Sequence, residues 1–96
     1  MVVGCLELTL SIPASSLKEK RSVVRSLLER SKNRFNVSAA ETEQNDDPRR
    51  AKLGFVSVAN DGPFVNSVLD KLLAFAEDDL IGRAEVIDSR LEILHV

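Results

Sequence analysis

The chain has 96 residues, of which 44% are hydrophobic and 29% charged, and its formal net charge is −2. That is the size and make-up of one small folded domain, and it excludes a disordered chain and a disulfide-stapled scaffold, the latter because Cys5 is the only cysteine. No apolar stretch approaches the roughly 20 residues that span a bilayer. The first twelve residues lack a basic leader and contain Glu7, so the expectation is a soluble cytoplasmic protein without membrane contact.

Residues 2–12 alternate, with Leu6, Leu8, Leu10 and Ile12 on one face and Cys5, Glu7, Thr9 and Ser11 on the other. A period of two marks a half-buried strand, and Pro13 stops it. Ser16-Leu17-Lys18-Glu19 has the form of a capping box, with Ser16 capping the Glu19 amide and the Glu19 carboxylate returning to the Ser16 amide. The helix it starts is predicted to run to about Asn33, with Leu17, Val24, Leu27, Leu28 and Ser31 on the buried side and Val23 beside them. Phe35, Val37 and Ala39 alternate with Asn36, Ser38 and Ala40 as a second strand, and the polar run 44–50, which contains Pro48, reads as an exposed loop.

A third strand covers Leu53 to Ala59. Its apolar residues Leu53, Phe55, Val56 and Val58 break strict alternation, which predicts a bulge or burial on both faces. The short link from strand two makes the pair an antiparallel hairpin. Asn60-Asp61-Gly62-Pro63 starts a second helix, with an apolar stripe of Val65, Val68, Leu69, Leu72, Phe75 and Ala76 ending near Asp79. Gly82 punctuates, and residues 84–95 form a fourth strand with Ile87, Leu91 and Ile93 on one face. The order β-α-β-β-α-β with right-handed crossovers gives a four-stranded antiparallel sheet with both helices on one face. The fold class is therefore α+β, ferredoxin-like, with residues 1–96 as a single domain.

No catalytic set stands out. The one histidine, His95, lies at the end of a strand, and there is no glycine-rich phosphate loop, nucleophile elbow or Cys/His metal set. Asp46-Asp47 and Asp78-Asp79 are sequence neighbours, and such pairs do not face each other as general acid and base. Cys5 reads as a small apolar residue of the sheet. No enzyme activity, cofactor or metal is expected.

The informative feature is the first helix. Residues 17–34 hold seven basic side chains against Glu19 and Glu29. At about 100° per residue, and with Val24 at the centre of the buried arc, Lys18, Arg21, Arg25 and Lys32 share one flank, Glu29 lies next to them, and Arg30 lies on the other side. Lys20 projects onto the edge of the apolar arc and is expected to snorkel outward. Cations in a first turn oppose the helix dipole, and together with the free amides there they suit a phosphate or another anion. Ordinary solvated charge is the competing reading. The candidate phosphate- or RNA-binding residues are Lys18, Lys20, Arg21, Arg25, Lys32 and Arg34.

The open face of the sheet offers Cys5, Glu7, Thr9 and Ser11, and the chain contains no Tyr or Trp, so RNA recognition by base stacking on the sheet is not expected. Val3, Cys5 and Ala40 make that face partly apolar, which predicts a homodimer burying on the order of 800 Å² per partner. The resulting expectation is a non-enzymatic accessory protein that contacts the ribosome or structured RNA through helix one. The alternatives are a dimeric small-anion-binding module and a protein-interaction adaptor.

The segments Ser16-Leu17-Lys18-Glu19-Lys20-Arg21, Asn33-Arg34-Phe35-Asn36-Val37-Ser38, and Leu53-Gly54 through Asn60-Asp61 resemble the bacterial YlxP-like family of unknown function, over nearly the whole chain. The resemblance implies a ferredoxin-like fold and a genomic setting among translation genes, near initiation factor two and ribosome-binding factor A. It implies no catalytic residue. Lys18, Lys20, Arg21 and Arg34 match the family, whereas Gln44 and Pro48 stand where members often have His and Trp.

Overall fold

A computed structural model describes residues 1–96. The alternation of the N-terminal segment is realised in β1 (Val2–Ser11), where every second residue from Val2 to Leu10 is buried and those between are half-buried. A strand with one face wholly apolar belongs in the middle of a sheet. β1 pairs antiparallel with β3 (Arg50–Ala59) on one side and with β4 (Glu85–His95) on the other. β2 (Ser38–Glu43) pairs antiparallel with β3, giving the order β2-β3-β1-β4.

Helix α1 (Leu17–Arg34) packs on β2, and helix α2 (Gly62–Asp79) packs on β1, β3 and β4; the two helices also touch each other. Both therefore cover the sheet face from which Leu6, Leu8, Leu10, Leu53 and Phe55 project into the core. This is the βαββαβ arrangement expected from the sequence.

Two local expectations need correction. β2 begins at Ser38, about one turn later than expected, because α1 continues to Arg34 and Phe35 is its C-cap, donating to Ser31 O at 2.8 Å. Phe35 and Val37 still reach the core as an extended lead-in. β3 has no bulge: Ala51, Leu53, Phe55 and Ser57 point inward in strict alternation, and Val56 and Val58 point outward. The irregularities lie instead in β2, between Glu41 and Glu43, and in β4, where the register with β1 shifts between Thr9 and Leu10 and leaves Ile87 out of the pairing.

α2 begins where Asp61 caps it: Asp61 Oδ2 accepts from the Phe64 amide at 3.0 Å, and Pro63 sits in the first turn, where a missing N–H costs nothing. Its last turn ends in Glu77, Asp78 and Asp79, the wrong sign for the C-terminal end of the dipole. Arg30 of α1 and Arg83 offset this, both reaching the Asp79 carboxylate at 2.7 Å.

The approach of α2 to β1 depends on Gly4. A Cβ there would lie 2.3 Å from Val65 Cγ1 and 2.7 Å from Leu69 Cδ1. Both neighbours are fully buried and have no room to withdraw. Gly4→Ala is accordingly expected to destabilise the fold by about 1–3 kcal/mol through overpacking, read as a lower urea midpoint at an unchanged m-value.

Candidate phosphate-binding flank of helix α1

The first turn of α1 is held by its own side chains. Ser16 Oγ accepts from the Glu19 amide at 3.2 Å. The Glu19 carboxylate does not return to Ser16, as a capping box would have it. It accepts from the Ser15 amide and from the Ser15 hydroxyl, each at 3.0 Å, one residue earlier. The Ser15 amide is the larger of these influences and the hydroxyl the next; together they hold the Glu19 carboxyl below the usual carboxylate range, against a smaller opposing effect of burial.

A pKa lowered by folding favours the folded state at pH values above the unfolded pKa, and that contribution disappears as pH falls through the folded pKa. Glu19→Gln should therefore be less stable than wild type at neutral pH. In urea titrations at stepped pH the gap should close on acidification, and a gap that widened in acid would contradict this assignment.

Lys20 does not snorkel. Its side chain is fully buried, in the core stripe it shares with Val24, Leu27 and Ser31. Nζ donates to the carbonyls of Gln44 at 2.6 Å, Asp47 at 2.8 Å and Arg50 at 2.9 Å. Those three bonds use all three ammonium protons. Glu41 Oε2, also 2.9 Å away, is held by charge alone and receives no directed hydrogen bond. The stem fits an apolar groove while the head finds convergent acceptors inside the protein, so nothing drives it to water. Lys20 thus fastens the 44–50 loop to α1 and is removed from the set of groups that can meet an external ligand.

The remaining candidates separate. Lys18, Arg21, Arg25 and Lys32 are all exposed and lie along one flank of α1. They line two adjoining shallow grooves of about 460 and 200 Å³, the first with Ser22, Ser26 and Glu29, the second between the helix and β2, where Glu41 forms part of the wall. Lys32 meets Glu29 at 3.5 Å. Lys18, Arg21 and Arg25 form no ion pair and no side-chain hydrogen bond within the chain.

Arg34 is elsewhere. Its guanidinium lies 5.2 Å from the centroid of Phe75 and 6.0 Å from that of Phe35, whose rings meet edge-on, so it faces α2 across the opposite flank. Arg49 and Arg50 do not extend the α1 flank either. They line a separate groove with Ser11, Pro13, Arg83 and Glu85, and Arg50 Nη1 donates to Ser11 Oγ at 3.1 Å.

One sign of the role of Lys20 was present in the residue order. Positions 20, 24, 27 and 31 repeat at core spacing, and a lysine in that series requires either exposure or a cage of acceptors. The polar loop 44–50 supplies the cage, but nothing in its composition shows where its carbonyls point.

Comparison with known proteins bears on the family and the fold. A family model described as a protein of unknown function (DUF503) matches residues 3–91. The uncharacterized protein YlxP of Bacillus subtilis (strain 168) is 38% identical over 64 residues, covering 67% of this chain and 70% of that protein. Among solved structures, a de novo designed protein with a ferredoxin fold superposes with a TM-score of 0.60 at 13% identity, over 98% of this chain and 84% of that one. SnoaB, a cofactor-independent oxygenase from Streptomyces nogalater, gives a TM-score of 0.55 at 11% identity, over 99% and 92% of the two chains. A designed protein and an oxygenase share this shape, so the likeness establishes the fold alone. No helix is long and apolar enough to cross a membrane.

Proposed function

This chain belongs to the DUF503 family of proteins of unknown function, and we propose that it is a non-enzymatic accessory protein that grips the phosphate backbone of structured RNA, on or near the ribosome, through Lys18, Arg21, Arg25 and Lys32. The observation that carries the reading is that three of these cations, Lys18, Arg21 and Arg25, are exposed, aligned and unpaired, and that Lys18 stands in the first turn, where the helix dipole disfavours it. A cation kept there without an internal partner is stabilised when an anion arrives. Phosphate contacts of this kind position an RNA without reading its bases. The sheet face agrees, because no aromatic side chain stands on its outward positions for bases to stack upon.

Sedimentation with purified ribosomal subunits tests the reading. The protein is expected in the pellet at low salt and in the supernatant at moderate salt. A protein that stays in the supernatant at low salt overturns the RNA reading in favour of a small-anion ligand.

A further inference from the structure

The face of the sheet turned away from both helices has an ordered composition. Reading across the strands from β3 to β1 to β4, the register places Val58, Val3 and Leu94 side by side, then Val56, Cys5 and Glu92, then Gly54, Glu7 and Arg90, and finally Lys52, Thr9 and Asp88. One end of the face is apolar and the other carries charges of both signs. Val58 is 55% exposed, Leu94 41% and Val56 37%. Beside them Gly54, without a side chain, lies in a shallow groove of about 310 Å³ walled by Cys5, Glu7, Val56, Arg90 and Glu92.

We infer that this face is the interface of a homodimer, two sheets packing face to face about a two-fold axis that runs along the strands. Such an axis turns each cross-strand row onto itself, so the Val58–Val3–Leu94 row meets the same row of the second copy and the charged rows meet charged rows. Arg90 stands opposite Glu7 in the register yet makes no ion pair, and Glu92 makes none either. The charge of Arg90 is left for a partner whose matching row presents an acid, and the same row of a second copy presents Glu7. A polyanion would instead need one sign.

The area is also sufficient. At about 3.3 Å per residue and about 4.8 Å between strands, β1, β3 and β4 are about 33 Å long and the six-residue β2 about 20 Å, a flat area of about 570 Å² before side-chain relief is added, close to the roughly 800 Å² per partner of a stable interface. α1 lies on the other side of the sheet, so each copy keeps its basic flank free.

Cys5, the only thiol, sits near the middle of this face and reports on it. In sedimentation equilibrium the chain is expected at twice its 10.6 kDa mass. The Val56→Glu/Val58→Lys variant, whose changes point to solvent in the single copy, should sediment as a monomer with an unchanged far-ultraviolet CD spectrum. Reaction of Cys5 with a bulky maleimide should slow as wild-type concentration rises and stay constant for the variant. Should the double variant fail to fold, Val58→Lys alone, at the most exposed site, gives the same comparison. A wild-type monomer at about 100 µM overturns the inference. So does a dimer that survives these substitutions, and so does a face whose Cys5 is protected only when a different protein is added.

Discussion

Replacing Lys20 with methionine is expected to cost about 3–5 kcal/mol, the range found when one partner of a buried ion pair is removed, against a total stability of about 5–15 kcal/mol for a domain of this kind. Methionine keeps the apolar stem in its groove, so the loss falls on the head group. Without the ammonium, the Gln44, Asp47 and Arg50 carbonyls converge on nothing, and the Glu41 carboxylate, only 17% exposed, loses its counter-charge. Arginine should not rescue the site, because a planar guanidinium cannot donate to three carbonyls converging at 2.6–2.9 Å on a single atom. Adding Glu41→Gln to Lys20→Met should recover part of the loss, and the double-mutant cycle isolates the charge component. Urea unfolding of the four proteins of the cycle and of Lys20→Arg measures these effects. A Lys20→Met variant within about 0.5 kcal/mol of wild type, the usual scatter of a surface substitution, would show that the ammonium does not hold the loop.

The parts of the fold that were legible in the sequence are those where one local rule acts alone. The alternation of β1, the Asp61 cap with Pro63 behind it and the apolar stripe of α2 each follow from a period or a cap, and the βαββαβ order follows from them. The misreadings arose where tertiary partners decide. Val56 and Val58 look like core residues because valine favours strands, but only the register shows that they point to the uncovered face. Glu19 accepts from both the amide and the hydroxyl of Ser15 rather than from Ser16, a choice between neighbouring serines that residue types alone do not make.

The candidate site was half legible. Helical spacing alone aligns Lys18, Arg21, Arg25 and Lys32, which is a local property. The fates of Lys20 and Arg34 depend on the carbonyls of a distant loop and on the ring of Phe75 in the other helix. The SLKEKR segment that carries the family resemblance therefore divides in two. Ser16, Glu19 and Lys20 build the start of the helix and fasten the loop, whereas Lys18 and Arg21 stay exposed and unpaired within the chain.

That division sets the second large effect. Lys18→Ala/Arg21→Ala/Arg25→Ala should leave stability nearly unchanged, since none of the three side chains makes an ion pair or hydrogen bond within the chain, while removing most of the affinity for RNA. Four phosphate contacts predict that wild-type binding weakens about 100-fold over a fourfold rise in salt, and the single cation remaining in the variant predicts a change of only about threefold. The variant should also weaken binding about equally across RNA sequences, as loss of phosphate contacts does.

The most direct measurement is the slope of log affinity against log salt for a fluorescent structured RNA, taken by anisotropy for wild type and the triple variant. A wild-type slope near −3, reduced in magnitude by about 2–3 in the variant, is the result expected if this flank of α1 holds the RNA backbone. Equal slopes in the two proteins, or no binding by either at low salt, would contradict it.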